Sequence, residues 1–272
     1  MGIEISQSFL KSVNPSRTGF YRVLLVFCFL FFTCLSYASK IPFEPGERLE
    51  YSMKWGFIPV GHATLEVLPK RMEGNESCYV LSFSVRTNAF ADKIYKVRTK
   101  IESVVNSAFT RSISYSKRQR EGSTHRDIKV KFDYQNSKSL YEEKNRDPIS
   151  IKIPDRVFDP LSIAYFFRLR TLRTGEATKI PTCDGKKIKE IIVRTSKREK
   201  LKVPAGTFYA YATLPEMKNL SGVFKKSPDG ILKVWYSDDS RKIPVKISSK
   251  VVIGSFTARL EKYRVAGNNI LK

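Results

Sequence analysis

The chain has 272 residues, and its 49 lysines and arginines outnumber its 26 aspartates and glutamates, which gives a formal net charge of +23. A chain of this length buries about 70% of its unfolded surface, so it folds without needing a disulfide or a structural metal. It contains two histidines, and neither has a histidine partner at ligand spacing, which excludes the common zinc-binding motifs.

The first 38 residues have the parts of a secretory signal peptide. Three basic residues precede an apolar run at 23–32, and small residues follow it, ending at Ala38. This pattern predicts cleavage between Ala38 and Ser39. The alternative is an uncleaved membrane anchor, but the apolar run is shorter than the about 20 residues that a bilayer span needs. We therefore predict an exported, periplasmic protein with a signal peptide at 1–38 and one domain at 39–272.

Export changes what the basic charge indicates. The leader contains three basic residues and one acid, so the mature chain keeps a net charge of +21. In a cytoplasmic protein such an excess would indicate nucleic acid first. Beyond the membrane the available polyanions are lipid headgroups, lipopolysaccharide and other anionic envelope polymers. We expect partners of that kind, or an envelope protein, and no nucleic acid.

Most of the mature chain alternates apolar and polar residues with a period of two, which is typical of strands with one face in the core. Clear examples are residues 49–57, 79–86, 128–134 and 242–247. Short polar turns separate these segments. The pattern predicts a mainly β fold, with a curved and largely antiparallel sheet that forms an open barrel-like body or a β-roll.

The alternating segments also suggest where a ligand would lie. We expect Tyr51, Trp55, Phe83 and Trp235 to line an apolar cleft on the concave face of the sheet. If helix side chains fill that space, lipid carriage there loses its physical basis.

Two cysteines remain after cleavage, Cys78 and Cys183. An oxidising compartment allows them to pair, and a bridge that closes so long a loop contributes about 4–5 kcal/mol on the chain-entropy account. Their positions do not show whether they are close in space. The sequence leaves this disulfide open.

Two concentrations of basic residues fall on predicted strands. The first comprises Lys117, Arg118, Arg120, Arg126, Lys129 and Lys131, and the second comprises Arg194, Lys197, Arg198, Lys200 and Lys202. One interpretation is a dock for an anionic envelope surface, to which each cation contributes about 1 kcal/mol at low salt. The other is a pair of solvated strand edges, on which basic residues prevent edge-to-edge aggregation. The sequence favours the second interpretation.

The segment at 159–172 departs from the two-residue period. Asp159 and Pro160 are residue types favoured at the N-cap and at the first helical position. Apolar residues then recur at helical spacing, and Gly175 follows where a helix normally ends. We predict one main helix near 159–172, packed against the sheet.

Five blocks of sequence follow one another along the mature chain. They are Phe43-Glu-Pro-Gly-Glu-Arg-Leu-Glu-Tyr51, Trp55-Gly-Phe-Ile-Pro-Val-Gly-His-Ala63, Asp159-Pro-Leu-Ser162 with Tyr165 and Arg168, Val203-Pro-Ala-Gly-Thr-Phe208, and Trp235 to Pro244, with Gly254-Ser255 after them. Their order and spacing resemble the signature of the exported bacterial proteins catalogued as domain of unknown function 3108. The resemblance implies a β-rich envelope protein. It transfers no catalytic residue, because the family's biochemical role is not established.

Groups able to carry catalysis are few. Asp238 and Asp239 are adjacent in a predicted turn, so they cannot flank a sugar bond by themselves. A Cys78–His62 pair would need an activated environment that nothing in the sequence indicates. We therefore expect no catalytic residues, no metal and no cofactor. The sequence favours a non-enzymatic binding or scaffold protein of the bacterial envelope that holds a lipid or another apolar or anionic ligand. The alternative is a hydrolase of cell-wall or lipid substrates that uses carboxylates at the mouth of the sheet.

Overall fold

Fourteen antiparallel strands form one continuous, open sheet in the computed structural model, which describes residues 41–216, 231–251 and 254–265. The strands are β1 Arg48–Trp55, β2 Ile58–Glu73, β3 Glu76–Thr87, β4 Val97–Val105, β5 Ser112–Glu121, β6 Thr124–Asp133, β7 Lys138–Glu143, β8 Ile149–Lys152, β9 Ala177–Cys183, β10 Ile188–Val203, β11 Gly206–Pro215, β12 Ile231–Ser237, β13 Pro244–Val251 and β14 Gly254–Arg264. The prediction of a mainly β, largely antiparallel fold is confirmed.

Strand order explains how the sheet is joined. Neighbours in the chain are neighbours in the sheet from β1 to β8 and from β9 to β14, and the two runs meet where β1 pairs with β14. Strands β8 and β9 are therefore the two free edges. Tight turns such as those at Gly56 and Gly74 connect the hairpins, and both glycines have φ near +60° (+56° and +60°), which favours glycine.

The sheet is curved, because elements far apart in strand order touch. The turn between β9 and β10 reaches the inner face of β6 and β7, where the Ser139 hydroxyl donates to the Gly185 carbonyl oxygen (3.2 Å). A Cβ at Gly185 would lie 2.6 Å from a methyl group of Val130, so only glycine fits there. Curvature of this kind encloses the core on the inner face of the sheet.

The predicted helix at 159–172 is shorter in the structure. An α-helix, α2, covers Ser162–Phe166, and a 3-10 turn continues it over Phe167–Leu169. At Arg170 the backbone is already extended (φ −103°, ψ 148°). Leu172, which completes the helical spacing in the sequence, is buried from extended chain. The apolar residue at this position therefore reflects burial of Leu172 in the core and not a last turn of helix.

A second helix, α1, was not predicted and covers only Ala89–Asp92 between β3 and β4. None of the helices in the described part of the chain is long and apolar enough to cross a membrane. Residues 1–40 lie outside the described residues, so the leader and its cleavage between Ala38 and Ser39 stay predictions.

Candidate functional site

A groove of about 270 Å³ lies between helix α2 and the inner face of strands β9 to β12. Ile163, Ala164 and Phe167 form its helical wall. The sheet wall consists mainly of apolar side chains: Ile191, Val193, Thr213, Leu232, Val234 and Tyr236. The wall follows from the two-residue period of the strands, which turns every second side chain towards the helix. The groove can accept a narrow apolar group.

The mouth of the groove is polar and mainly basic. Lys187 and Lys189 lie there, and neither forms an ion pair with an acid of the described residues. Asp184 also lies there, and its carboxylate accepts hydrogen bonds from the backbone N–H groups of Lys186 and Lys187 (both 2.9 Å). The carboxylate thus stabilises its own turn, and the two lysines remain available to an anionic group.

The groove is not the cleft expected from the sequence. None of Tyr51, Trp55, Phe83 and Trp235 lines it. Tyr51 is fully buried, and its hydroxyl donates to the Pro244 carbonyl oxygen at 2.7 Å. Phe83 is partly buried and packs against the same core. The predicted cleft is therefore wrong at these two positions, because they belong to filled interior.

The two tryptophans also lie outside the groove. Trp55 stacks on Phe256 near the β1–β2 turn, with 6.3 Å between ring centroids. Trp235 lies on the opposite face of β12 from the groove-lining side chains, and its indole N–H donates to the Glu199 carboxylate (2.5 Å). Period alone could not assign these faces, since it does not say which face of a strand is the inner one.

A buried ion pair occupies the centre of the core. The Arg168 guanidinium donates to both carboxylate oxygens of Glu47, and each side chain is 1% exposed. The same guanidinium lies over the rings of Phe43 (4.8 Å) and Tyr165 (5.4 Å) and donates to the Arg241 carbonyl oxygen (3.2 Å). Side chains of the helical segment therefore fill the interior next to Tyr51, and lipid carriage has no physical basis at that point.

A second buried polar cluster holds the start of the helix. Asp159 is fully buried, and its carboxylate accepts from the backbone N–H groups of Leu161 (2.8 Å) and Ser162 (3.1 Å) and from the hydroxyls of Ser103 and Ser112. Burial raises the pKa of Asp159, and these hydrogen bonds oppose the rise. The α-helix begins at Ser162, with Leu161 at its N-cap, so the N-cap predicted at Asp159 is displaced by two residues. Asp159 still accepts from the N–H groups at the start of the helical segment, and it ties that segment to β4 and β5.

The first basic group is divided between the two faces of the sheet. Lys117 and Arg126 share the inner face with buried Ile128, and the outer face carries the others, Arg118, Arg120, Lys129 and Lys131. Strands β5 and β6 are paired on both sides, so the interpretation as a strand edge is wrong for this group.

Three members of that first group are paired with acidic residues. Arg126 donates to both oxygens of Glu143 (2.6 and 3.0 Å), and these hydrogen bonds lower the pKa of Glu143 to about 2. Arg120 donates to Asp127 at 2.7 Å, and Arg118 lies 3.9 Å from the same carboxylate. The anion dock, which was the less favoured interpretation of the sequence, is therefore reduced in this group to a few exposed cations.

Most of the second basic group lies on a stretch of β10 that β9 does not cover, although Arg194 pairs with Ala177 of β9. Strand β9 covers β10 only from Ile188 to Arg194, so the part of β10 that carries Lys197, Arg198, Lys200 and Lys202 pairs with β11 alone. Arg194 and Arg198 form ion pairs with Glu216 (2.9 Å) and Asp238 (2.5 Å). The interpretation as a protected edge fits this group.

Cys78 and Cys183 are free, buried thiols in separate clusters. Cys78 packs with Val80 and Val104, whereas Cys183 packs beneath β6 and β7. The disulfide that the sequence left open is not formed. Burial raises the pKa of both thiols, which keeps them protonated and unreactive at neutral pH.

The other catalytic combinations weighed from the sequence do not come together. On β3, Cys78 lies eight positions from the residue opposite His62, a separation of about 26 Å. Asp239 accepts hydrogen bonds within its own turn, from the Ser237 hydroxyl and the Arg241 backbone. Within the described ranges no group of three or more His, Cys, Asp or Glu side chains is arranged to hold a metal ion.

A family model described as "Protein of unknown function (DUF3108)" matches residues 50–261. The chain belongs to this family. A comparison with curated proteins gave no match.

Among solved structures, the chain resembles a beta-barrel-like protein of domain of unknown function DUF1849 from Brucella abortus. The TM-score is 0.55 at 8% identity, over 80% of this chain and 97% of that one. It is less similar to a Bacteroides fragilis protein with a YmcC-like fold, provisionally described as exported. That match has a TM-score of 0.36 at 10% identity, over 82% of this chain and 98% of that one. The first of these shows the fold alone.

Proposed function

We propose that this DUF3108 protein is an exported, non-enzymatic binding protein that holds one hydrocarbon chain of an anionic lipid. The groove under helix α2 carries this proposal, because it combines apolar walls with two unpaired lysines at its mouth. Its volume, about 270 Å³, is slightly below the range of small-molecule sites, which starts at about 300 Å³. A single chain is therefore a better fit than a whole phospholipid.

The chemistry of the two ends of the groove supports an amphipathic ligand. Burial of the chain against Ile163, Val193 and Val234 removes apolar surface from water, and each buried CH₂ contributes about 0.8 kcal/mol. Lys187 and Lys189 lie where a carboxylate or phosphate head would emerge into water. The ligand class follows from this arrangement: an acyl chain with a negatively charged head.

The arrangement of acids supports binding without catalysis. Among the described residues that line the groove, Asp184 alone carries a carboxylate, and backbone hydrogen bonds already occupy it. A glycosidase needs two carboxyl groups about 5–9.5 Å apart across its cleft. Nothing in this groove favours the hydrolase alternative.

A tryptophan scan of one strand tests the proposal. Val193→Trp places a large ring in the groove, whereas Ile192→Trp places the same ring on the opposite face of β10. We expect Val193→Trp to lower the affinity for a fluorescent fatty acid at least tenfold, and Ile192→Trp to leave it within about twofold. Circular dichroism and thermal melts show whether both variants remain folded.

Two further results would contradict the proposal. One is a purified wild-type protein that carries no acyl-chain compound by native mass spectrometry and also fails to bind the fluorescent fatty acid. The other is equal binding by both tryptophan variants while both are folded. For export, mass spectrometry of the secreted protein is expected to show an N-terminus at Ser39, and an N-terminus at Met1 in the soluble cytosolic fraction would overturn that part.

A further inference from the structure

One end of the sheet exposes large apolar side chains that no core explains. Among the described residues ten large apolar side chains are exposed, and five of them cluster at the end of the sheet that carries the β1–β2 turn and the segment between β3 and β4. They are Phe57, Ile58, Phe90, Ile94 and Tyr95. We call these five the apolar end. Phe57, at the tip of the β1–β2 turn, is 96% exposed and Ile94 is 68% exposed.

Hydrogen bonds bring the parts of the apolar end together. The Asn88 backbone N–H donates to the Val60 carbonyl oxygen (2.9 Å), and its side-chain amide donates to the Pro59 carbonyl oxygen (2.8 Å). The segment before β4 is thereby held beside the β1–β2 turn. The same Asn88 side chain accepts from the Ala91 N–H (2.9 Å) and caps α1. Three hydrogen bonds of Asn88 therefore hold the segment in this position.

A third connection completes this end. The Gly122 N–H, in the β5–β6 turn, donates to the Lys96 carbonyl oxygen (2.9 Å). The Tyr95 ring lies so close to Gly122 that a Cβ there would be 2.5 Å from a ring carbon, and Gly122 also has φ +54°. The glycine therefore allows Tyr95 to pack on the turn with half of its surface exposed.

The charge around the apolar end is strongly positive. Residues 86–100 contain five basic residues and one acid, Asp92. Asp92 is neutralised by Arg98, whose guanidinium donates to its carboxylate (2.6 Å). Arg86, Lys93 and Lys96 are exposed and form no ion pair with a described acid. Unpaired cations thus lie before, between and after the apolar tips of this stretch.

The opposite end of strands β2 and β3 differs in its exposed side chains and in the pairing of its charges. Of the large exposed apolar residues, Met72 lies near it, and neighbouring charges are paired, as in Arg71 with Glu102. Glu76 accepts from the Ser107 backbone N–H and hydroxyl (2.9 and 2.7 Å). The apolar and basic character is thus a property of one end and does not follow from the sheet architecture.

We propose that the apolar end docks the protein on the surface of an anionic phospholipid bilayer. Aromatic and aliphatic tips on two separate connections enter the boundary between headgroups and acyl chains, and the unpaired cations contact the lipid phosphates. Charge complementarity selects this partner, since each cation near an anionic leaflet contributes favourably and salt weakens the effect. The docking surface is separate from the groove and does not depend on what the groove binds.

Vesicle co-sedimentation tests this docking. The purified protein is mixed with vesicles of phosphatidylcholine alone or with about 30% phosphatidylglycerol, which gives the vesicles a negative surface potential. We expect binding to the anionic vesicles at low salt, with a loss of at least about tenfold at high salt. The triple variant Phe57→Ser, Phe90→Ser and Ile94→Ser is expected to lose binding to the anionic vesicles.

A matched triple variant controls for lost apolar surface in general. Met72→Ser, Leu140→Ser and Ile149→Ser also removes three exposed apolar side chains, but away from the apolar end. We expect it to bind as wild type does. Equal vesicle binding by the two triple variants would overturn the proposal, and so would a wild-type protein that binds neither vesicle while remaining folded.

Tryptophan fluorescence gives an independent readout. The chain has two tryptophans, and Trp55 precedes the β1–β2 turn that carries Phe57. In a Trp235→Phe background, lipids brominated on their acyl chains are expected to quench Trp55 when anionic vesicles bind. Binding without quenching would place the contact elsewhere and contradict the proposed orientation. Val193→Trp, which fills the groove, is expected to sediment with vesicles normally, so failure of docking and failure of the proposed function are distinguishable.

Discussion

The two sides of helix α2 differ in what they contact. One side faces the filled interior, where Arg168 is paired with Glu47 and packs on the rings of Phe43 and Tyr165. The other side, with Ile163 and neighbouring residues, bounds an open groove. The difference shows that one short element separates the part of the interior that provides stability from the part that offers a binding site.

The largest expected effect comes from breaking the buried ion pair. Glu47→Gln leaves the Arg168 guanidinium buried without a countercharge, and we expect a loss of about 3–5 kcal/mol in the free energy of unfolding. Urea denaturation followed by circular dichroism measures it. Glu44→Gln, at an exposed position three residues earlier, is the control and should change stability by less than about 0.5 kcal/mol. Equal stability of Glu47→Gln and wild type would show that the buried ion pair does not stabilise the filled side of the helix.

The next effect concerns the start of the helix. Asp159→Ala removes the cap and leaves the hydroxyls of Ser103 and Ser112 without their acceptor, so we expect a loss of about 2–4 kcal/mol. Thermal melts of the variant and of Asp155→Ala, an exposed neighbour, provide the measurement. A melting temperature that falls equally in both would show that the cluster contributes nothing specific.

A pH dependence is expected at the border of the groove. Glu143 is bonded by Arg126 and lies 3.6 Å from Lys186, in the turn beside the groove mouth. Its folded pKa, about 2, is below the usual 4.5. The pair therefore stabilises the fold above about pH 4.5, and this contribution is lost as the pH falls towards 2.

The glutamine variant isolates that contribution. Glu143→Gln is expected to lower the free energy of unfolding by about 2–3 kcal/mol at pH 7, with a difference from wild type that shrinks as the pH falls from 5 to 3. The exposed neighbour on the same strand, Glu142→Gln, should show no such convergence. A Glu143→Gln difference that stays constant across this pH range would contradict the assignment.

The smallest effects compare two alanines directly. Ala63 is buried in the filled core, and Ala164 lines the groove. Ala63→Leu should cost about 1–3 kcal/mol through overpacking. Ala164→Leu has space in front of it, so we expect a change below about 0.5 kcal/mol together with weaker fatty-acid binding. Equal costs for the two substitutions would show that the groove is not open in solution.

Sequence patterns predicted local features more reliably than sites formed by residues from several strands. Alternation located strands such as those at 79–86 and 128–134, and the Asp159-Pro160 pair located the start of the helix. The cleft failed because period two does not say which face of a strand is the inner one. Ile191 and Val193 belong to an apolar run with Ile192, and nothing in that run shows which face a helix covers or that a gap lies between.

The basic groups also show that sequence spacing does not assign side chains to faces or partners. Arg126 and Arg118 are near neighbours in sequence, yet one lies on the inner face bonded to Glu143 and the other is exposed outside. Glu47 and Arg168 lie in two blocks of the family resemblance, and their 121-residue separation hid the fact that they form one buried pair. Pairing across a sheet depends on register, and register is a property of the whole sheet.

The amino-acid order alone determined the strand content, the turns, the capped helix start and the family, because each depends on residues close together in the chain or on blocks in a fixed order. The tertiary structure decided that helix α2 is filled on one side and open on the other, and which cations remain unpaired. The physical reason is curvature: packing throughout the sheet sets how far β9–β12 stand from the helix, and no local pattern records that distance.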